Sequence, residues 1–356
     1  MNCRTGALGK TVYSCRTCDH KHTIYRSCKN RFCPTCQTLE TYNWADRILN
    51  NLLDIKHHHI VFTLPKPIRN IQKRNAKIVL NTFFDAANQT LKEWFAVKHN
   101  CIPGIVAVLH TAGSDLKHHP HIHMIVSAGG LNCNDLSVQE LQSEFLTRQR
   151  FIANKFKRIF SKKISSLHPK LNLGSSLSKP SNFKAFLNKI NKKQWIVSIQ
   201  KPLDNLEHIV KYVGRYSKRT CISEYAISSI ENQFITLRFK DYKNTPRGQK
   251  PKYAFRKLHY TKFLDLLLQH VPEKGFRMVR YAGAYNSVYK KYIPQYSKTT
   301  AEDIINDNVQ WDEFPHIRKL DIENGKDDPL VCPNCKTLMI DKIVIFNRNP
   351  IRLYDP

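Results

Sequence analysis

The distribution of apolar residues along the chain predicts a mixture of strands and helices. Short apolar runs bounded by Pro, Gly or polar clusters predict strands at about 59–64, 105–110, 121–127, 195–200, 225–230 and 234–239. Apolar residues at helical spacing predict helices at about 70–98, 205–218 and 260–269, with two more between 141 and 193. Because strands alternate with helices and some neighbouring strands can form hairpins, we expect an α+β fold with an antiparallel sheet flanked by helices.

Aromatic residues are interleaved with lysines in the basic stretch from about 141 to 193. They are Phe151, Phe156, Phe160 and Phe186. Exposed rings among lysines can stack on the bases of single-stranded DNA. The same spacing is also typical of the buried stripe of helices that have a solvated basic face, which is the more common arrangement.

The net charge of the chain narrows the choice of partners. Of the 356 residues, 57 are Lys or Arg and 28 are Asp or Glu, which gives a formal net charge of +29. Such an excess opposes compaction and favours a polyanionic partner. Nucleic acid is the first candidate because neutralising its phosphates releases counterions. A ribosome-associated or lipid-surface protein is the alternative that charge alone leaves open.

We expect neither a membrane span nor a secretion signal in this sequence. No apolar stretch approaches the ~20 residues that a transmembrane helix needs, and the first residues lack the apolar core of a signal peptide. We therefore expect a cytoplasmic protein whose cysteines are reduced. Six of the eleven cysteines lie in the first 36 residues, and this density indicates metal binding.

Two Cys-x-x-Cys motifs near the N-terminus predict a structural zinc site. Cys15 and Cys18 form the first motif, Cys33 and Cys36 form the second, and fourteen residues separate them. Four thiolates at this spacing suit tetrahedral Zn²⁺. A closed site with four sulfur ligands leaves no open position for chemistry, so we expect it to serve folding and DNA contact.

Four further cysteines lie outside this quartet. Cys3 and Cys28 either pack as thiols or replace a member of the quartet, and Cys28 can also join a second site. Cys332 and Cys335 form a third Cys-x-x-Cys motif, but two ligands do not complete a zinc site. A metal there needs a partner pair from elsewhere in the chain or from another subunit.

A histidine-rich strand predicts a second kind of metal site. His121 and His123 alternate along this strand and therefore share one face, where both can bind one divalent cation. His110 ends the preceding predicted strand, and a hairpin would return His121 beside it, so His110 is the best third ligand. His118 and His119 lie in the loop and can coordinate instead, or contact phosphate.

Two tyrosines at helical spacing are candidate nucleophiles. Tyr212 and Tyr216 are four residues apart and share one side of the predicted helix, although such pairs are more often core residues. A metal that polarises a phosphate would help a phenol to attack it. The products are a 5′-phosphotyrosine and a free 3′-hydroxyl, which conserve the bond energy for rejoining. The basic neighbours expected to contact DNA are Lys211, Arg215, Lys218 and Arg219.

Taken together, these motifs resemble the two-tyrosine HUH rolling-circle transposases of insertion sequences, which carry an N-terminal zinc-binding domain. The segments that carry the resemblance are 27–36, 61–65, 109–111, 118–123, 129–131, 212–216, 274–277 and 281–283. The resemblance covers about residues 3 to 285. It implies an HUH endonuclease-type sheet and a metal-dependent DNA strand transferase acting on single-stranded ends. It also implies a bacterial protein associated with the nucleoid. It also implies Mg²⁺ or Mn²⁺ at His121 and His123, and Tyr212 and Tyr216 as nucleophiles.

On this basis we expect a zinc-binding module at 1–45, a catalytic domain at 46–290, and a loop-rich C-terminal region at 291–356 that contains the third Cys-x-x-Cys motif. Members of the family usually carry more residues before the first cysteine, which implies a truncated chain or an internal start. Three alternatives stay open. They are a relaxase or replication initiator with the same chemistry, a zinc-module DNA-binding protein without catalysis, and a decayed transposase.

Overall fold

The protein is described from a computed structural model. It covers residues 3–28, 33, 36, 41, 44–45, 48–49, 51–141, 147–202, 213–214, 221–222, 224–241, 244–246, 249–293, 328–339 and 341–345. The chain forms two compact units. The smaller contains Met1–Trp44, Lys218–Thr220 and Thr300–Pro356, and the larger contains Ala45–Ser217 and Cys221–Thr299. Both ends of the chain therefore belong to the smaller unit.

The described residues of the two units form the following strands and helices. The strands are β1 (Lys10–Ser14), β2 (Lys21–Tyr25), β3 (His57–Thr63), β4 (Cys101–Ile102), β5 (Gly104–Ala112), β6 (His118–Ser127), β7 (Gly129–Asn132), β8 (Val138–Glu140), β9 (Val197–Ile199), β10 (Ile227–Glu231), β11 (Phe234–Lys240), β12 (Tyr253–His259), β13 (Val279–Gly283) and β14 (Asp341–Ile345). The α-helices are Lys66–Gln72, Ala76–His99, Gln149–Ser166, Ser175–Ser178, Pro180–Asn191 and Tyr260–Leu268. Short 3-10 helices are Gly6–Leu8, His168–Lys170, Glu224–Ala226 and Ser287–Tyr292.

A five-stranded sheet forms the centre of the larger unit. Its spatial order is β13-β5-β6-β3-β9, and every neighbouring pair is antiparallel. The predicted α+β class, with an antiparallel sheet and helices, is therefore confirmed. β6 is the middle strand and is hydrogen-bonded on both sides, so the side chains that it carries have a rigid support.

One face of this sheet packs into the main hydrophobic core. Alternation along β6 places Ile122, Met124 and Val126 on this face, where all three are fully buried. The long helix Ala76–His99 and the basic helix Gln149–Ser166 supply core residues that pack with them. The opposite face of β6 therefore carries the alternate residues, His121 and His123 among them.

The aromatic residues of the basic stretch mainly build this core. Phe156 is fully buried, and its ring lies 5.0 Å from that of Phe62, 5.8 Å from Phe83, 6.0 Å from Phe160 and 5.4 Å from Trp195. The interpretation as a buried helical stripe is thus confirmed for Phe156 and Phe160.

Two boundaries differ from the pattern-based expectation. The single helix expected at 70–98 is interrupted, because Asn75 donates side-chain hydrogen bonds to the carbonyls of Ile71, at 3.0 Å, and Asn172, at 2.9 Å. The two histidine-bearing strands are longer than expected because their pairing continues to Ala112 and His118. The loop between them is correspondingly short.

Gly130 lies in β7, a strand of a second and smaller sheet. β7 pairs with β4 and β8 in a small three-stranded sheet. A Cβ atom on Gly130 would lie 2.0 Å from the carbonyl oxygen of Ile102. Only glycine allows the two backbones to approach this closely.

The smaller unit contains a sheet made from both ends of the chain. β1 pairs with β2 on one side and with β14 on the other, both antiparallel. The C-terminal strand β14 was not predicted from the sequence. Among the described helices of the whole chain, none is both long and apolar enough to cross a bilayer.

Candidate active site and metal centres

Three of the predicted metal ligands lie together on one face of the five-stranded sheet. The hairpin expected between β5 and β6 is formed, and His110 stands directly opposite His121 in the ladder. His110 Nδ1 lies 3.3 Å from His121 Nε2. The ring centres of His121 and His123 are 4.9 Å apart.

Hydrogen bonding determines which nitrogen of His121 carries a lone pair toward the site. The Nδ1–H group of His121 donates to the backbone carbonyl of His119 at 2.6 Å. His121 Nε2 is therefore the acceptor nitrogen, and it faces His110. Two nitrogens bound to one cation at bond lengths near 2.1 Å lie roughly 3 Å apart, so this pair fits a shared divalent ion.

A relay of two further side chains determines the tautomer of His123. The Nδ1–H group of His59 donates to the side-chain oxygen of Gln200 at 3.0 Å, which leaves His59 Nε2 as an acceptor. The Nδ1–H group of His123 donates to this acceptor at 2.9 Å. The lone pair of His123 is therefore on Nε2. Metal-binding histidines are commonly oriented in this way by a hydrogen bond from their other nitrogen.

The histidines of the site are held in their neutral form by burial. Desolvation, and then the neighbouring His121, lower the pKa of His110 to about 3. Desolvation is likewise the largest cause that lowers the pKa of His59, His121 and His123. Neutral imidazole is the form that binds a cation, so the facing pair of His110 and His121 suits a divalent metal.

A positive charge at the edge of the site comes from a helix that sequence analysis had not connected with it. Arg69 lies in the helix Lys66–Gln72, and its Nε donates to the carbonyl of Leu64 at 2.9 Å. Burial first, and then the charge of Arg69, lower the pKa of His119 to about 4. Arg69 also contributes to the lowered pKa of His121. The positive charge of Arg69 therefore acts on two histidines of this strand.

The cysteines form two groups rather than the predicted quartet. In the described part of the chain, two sets of potential metal ligands lie within 4.8 Å of one another, and both consist of cysteines. The first set is Cys3, Cys28, Cys33 and Cys36, and the second is Cys15, Cys18, Cys332 and Cys335. The predicted single site of Cys15, Cys18, Cys33 and Cys36 is therefore wrong. The cysteines are grouped differently because β1 pairs with β14, which brings the C-terminal Cys-x-x-Cys motif to Cys15 and Cys18.

Hydrogen bonds to sulfur favour the thiolate form of two members of the second group, Cys15 and Cys335. The Thr337 hydroxyl, 3.6 Å from the Cys15 sulfur, and then the Thr17 amide, at 3.4 Å, lower the pKa of Cys15 to about 5. The same Thr337 hydroxyl, 2.6 Å from the Cys335 sulfur, is the largest cause that lowers the pKa of Cys335. The thiolate is the form that binds zinc.

The predicted nucleophiles lie outside the described residues. This holds for Tyr212 and Tyr216 and for their basic neighbours Lys211, Arg215, Lys218 and Arg219. Of the helix expected at 205–218, the structure describes Val213 and Gly214, which are helical and buried.

Comparison with known proteins identifies the family. Residues 104–292 match the family described as "Putative transposase", and residues 1–64 match the "Transposase zinc-binding domain". The chain is 32% identical to the "Putative transposase y4qJ" of Sinorhizobium fredii over 296 residues, which cover 81% of this chain and 73% of the relative. The chain belongs to the IS91 family of insertion-sequence transposases. It is also 29% identical over 298 residues to the "Transposase for insertion sequence element IS801" of Pseudomonas savastanoi pv. phaseolicola, covering 83% and 71% of the two chains.

Because the chain belongs to this family, it is a DNA-cleaving enzyme, and its partner is DNA. No solved structure matches the chain. The matched transposase region includes His110, His121 and His123, whereas the zinc-binding match ends before Cys332 and Cys335. The zinc-binding domain and the two cysteine groups together support structural zinc in this transposase.

Sequence reasoning missed two residues of the site, His59 and Gln200. The run His57–His58–His59 at the start of β3 was a signal for the first, since its third member shares the face of His123. Gln200 follows β9, an edge strand of only three residues. Its side chain reaches the site only because β9 pairs with β3, which local spacing does not reveal.

Proposed function

We propose that this transposase cuts and rejoins single-stranded DNA ends through a 5′-phosphotyrosine intermediate, in rolling-circle transposition. The observation that carries the proposal is the histidine pair on the central hairpin, with His110 Nδ1 3.3 Å from His121 Nε2. The hydrogen bond from His123 to His59, which leaves the lone pair of His123 on Nε2, gives further support. The family supplies the reaction class, which is DNA cleavage and joining.

In the proposed reaction, the chain's own residues supply the nucleophile and position the phosphate. The phenol oxygen of Tyr212 or Tyr216 attacks the scissile phosphorus and loses its proton. The bond from phosphorus to the 3′-oxygen breaks, and this oxygen leaves as a 3′-hydroxyl after it takes up a proton. Because the number of phosphoester bonds is unchanged, a 3′-hydroxyl can later reverse the step and rejoin the strand.

His110, His121 and His123 are the residues proposed to hold Mg²⁺ or Mn²⁺ in this site. When bound, the ion would polarise a phosphate oxygen and stabilise charge on the attacking and leaving oxygens. The histidines remain neutral through burial, and the hydrogen bonds to His119 and His59 keep their lone pairs directed. Arg69 adds a positive charge beside the same face, where it can bind the phosphate of the DNA strand.

Two tyrosines allow two covalent linkages to exist in succession. One phosphotyrosine linkage can hold the cut end of the insertion sequence while the other forms at the target DNA. Neither DNA end is then released from the protein. Lys211, Arg215, Lys218 and Arg219 are proposed to bind the phosphates near these tyrosines. The cysteine group Cys3, Cys28, Cys33 and Cys36 is proposed to hold structural zinc in the N-terminal domain.

The experiment is a test for a covalent protein–DNA adduct. Purified protein is incubated with labelled single-stranded DNA from the flanks of its gene, with Mg²⁺ or Mn²⁺, and the adduct is digested with protease as an identity check. We expect Tyr212→Phe plus Tyr216→Phe to abolish the adduct. His121→Ala and His123→Ala should abolish it too while DNA binding is retained. An undiminished adduct in the double tyrosine variant would contradict the proposal, and DNA binding without any adduct would favour a non-catalytic DNA-binding protein.

A further inference from the structure

We infer that Cys15, Cys18, Cys332 and Cys335 bind a zinc ion of their own, which joins the two ends of the chain in one zinc ribbon. The sulfur of Cys15 lies 3.3 Å from that of Cys335, and the sulfur of Cys18 lies 3.4 Å from that of Cys332. Zn–S bonds of about 2.3 Å in a tetrahedron place neighbouring sulfurs roughly 3.8 Å apart. The observed separations are close to this value and far from the ~2.05 Å of a disulfide.

The two Cys-x-x-Cys motifs of this group have the same backbone geometry, although more than 300 residues separate them. In each, the amide of the first cysteine donates to the carbonyl five residues later. The bonds run from Cys15 to His20 and from Cys332 to Thr337, both at 2.9 Å. In each, the residue after the second cysteine has a positive φ, 54° at Asp19 and 60° at Lys336. Two matching turns that direct paired sulfurs at one point are the arrangement that a tetrahedral metal requires.

The strands that lead to the motifs hold them in register. β1 and β14 pair along five residues, from Lys10 opposite Ile345 to Ser14 opposite Asp341. At the end beside the cysteines, the Arg16 guanidinium contacts both carboxylate oxygens of Asp341, at 2.7 and 2.6 Å. The group is therefore built on a sheet and is not a chance encounter of surface thiols.

The surroundings of the sulfurs fit a structural rather than a catalytic metal. Cys15 and Cys332 are buried and pack in a small hydrophobic cluster with Tyr13 and Met339. A site with four sulfur ligands leaves no open coordination position. The cluster is small, so the metal would supply much of the stability of this sheet, as in other small zinc modules.

The experiment is a measurement of zinc per chain by elemental analysis of the full-length protein. We expect two zinc ions in the wild type and one in the variant Cys332→Ser plus Cys335→Ser. The same loss of one zinc is expected for Cys28→Ser plus Cys33→Ser, from the other group. Cys133→Ser plus Cys221→Ser is the matched control, since neither residue belongs to a group, and it should retain two.

A second measurement does not depend on folding of the variants. In the zinc-bound wild type, alkylation followed by mass spectrometry should show Cys15, Cys18, Cys332 and Cys335 protected, and a chelator should expose all four together. Three results would each overturn the inference. Elemental analysis could find one zinc in the wild type, or two in the Cys332→Ser plus Cys335→Ser variant. Alkylation could expose Cys332 and Cys335 while Cys15 stays protected.

A separate observation, on the sheet β10–β11–β12, supports a second inference. We infer that one face of this sheet binds the bases of single-stranded DNA; the inference rests on the proposed single-stranded substrate. We call this surface the aromatic face, and it carries Phe234, Arg238, Lys240, Tyr253, Phe255 and Lys257. Its three rings remain 38%, 56% and 61% exposed at Phe234, Tyr253 and Phe255.

Cations accompany the rings of the aromatic face. Arg238 stands opposite Phe255 in the ladder, and its guanidinium lies 4.9 Å from the Tyr253 ring. The Lys257 ammonium lies 5.0 Å from the Phe234 ring. Exposed rings interleaved with cations are typical of surfaces that stack bases and bind the phosphates between them. The acid at this face is Glu231, opposite Phe234, so positive charge predominates.

The reverse face of the same sheet is already occupied. Ile235, Leu237 and Leu258 are buried there against Phe263 and Leu266 of the helix Tyr260–Leu268. The rings of the aromatic face are therefore not needed to fill this core. A sheet with one packed face and one face of exposed rings and cations is also how RNA-recognition modules bind unpaired nucleotides.

The experiment compares binding of a labelled 20-nucleotide oligothymidylate and a duplex of the same length by fluorescence anisotropy. Stacking on one ring changes the affinity by about 5- to 150-fold, so we expect Tyr253→Ala plus Phe255→Ala to weaken single-strand binding at least about tenfold. Duplex binding should change far less. The conservative variant Tyr253→Phe plus Phe255→Tyr keeps both rings and should bind like the wild type.

Lys257→Ala tests the phosphate contact separately. It should reduce the slope of log affinity against log salt concentration by about 0.7, the contribution of one phosphate on a single strand. Unchanged single-strand affinity in the double alanine variant, or an equal loss for the duplex, would overturn the inference. Failure of the proposed function would look different, as an absent covalent adduct with the single-strand preference intact.

Discussion

The substitution His59→Ala tests whether the relay from Gln200 through His59 prepares His123 to bind metal. In the wild type, His59 Nε2 accepts the Nδ1–H bond of His123 at 2.9 Å, and both rings are buried. Alanine at position 59 removes the accepting nitrogen of His59, so the Nδ1–H group of His123 loses this hydrogen bond. His123 is then free to move its proton to Nε2, the nitrogen proposed to bind the cation.

The size of the effect follows from the lost hydrogen bond. A neutral hydrogen bond contributes about 1 kcal/mol, and a buried donor left unsatisfied costs about 1–3 kcal/mol. Since ~1.4 kcal/mol is a factor of ten in affinity, the variant should need about 10- to 100-fold more Mn²⁺ for half-maximal adduct formation, the range found for partners of metal-binding histidines. The maximal rate at saturating Mn²⁺ should change much less, because no proposed ligand is removed.

The assay is a titration of adduct formation with Mn²⁺, with side-chain nitrogen NMR of His123 in the metal-free protein beside it. Wild type should show the proton on Nδ1, and His59→Ala should show a mixture of tautomers. Gln200→Glu keeps an acceptor for His59 and should resemble wild type, whereas Gln200→Leu should resemble His59→Ala. His58→Asn, on the opposite face of β3, is the control for general damage to the strand. An unchanged half-maximal Mn²⁺ concentration together with an unchanged His123 tautomer in His59→Ala would refute the reasoning.

Three further predictions concern the core, a close backbone approach and the phosphate. Phe156→Ala should lower the free energy of unfolding by about 3–5 kcal/mol in urea denaturation, because a fully buried ring is lost. If the free energy of unfolding fell no further than it does when an exposed residue is replaced by alanine, this packing would be contradicted. Gly130→Ala should lower it by about 1–3 kcal/mol, because the new Cβ meets the Ile102 carbonyl at 2.0 Å. Gly174→Ala should be nearly neutral, because the nearest atom to its new Cβ is a side-chain nitrogen of Arg74, at the ordinary contact distance of 3.8 Å. Arg69→Ala should reduce DNA affinity and adduct formation while Arg69→Lys retains part of both, and equal adduct yields in all three proteins would remove Arg69 from the site.

Local spacing in the sequence determined the parts of the protein that depend on neighbours along the chain. The period of two in β6 places His121 and His123 on one face whatever the rest of the fold does, because successive side chains of a strand alternate. The single polar loop between β5 and β6 also made the hairpin, and hence His110 opposite His121, predictable. The buried stripe of Phe156 and Phe160 follows from helical spacing in the same way.

The contacts between distant segments depend on the pairing of strands in the folded protein. Cys15 and Cys18 could pair with any other motif by spacing alone, and the nearer one, Cys33 and Cys36, was the natural choice. The ladder between β1 and β14 selects the C-terminal motif instead. His59 and Gln200 join the histidine site for the same reason, since β3 lies between β6 and β9. The pairing of strands depends on the packing of the whole sheet, and the interval between two residues along the chain carries no record of it.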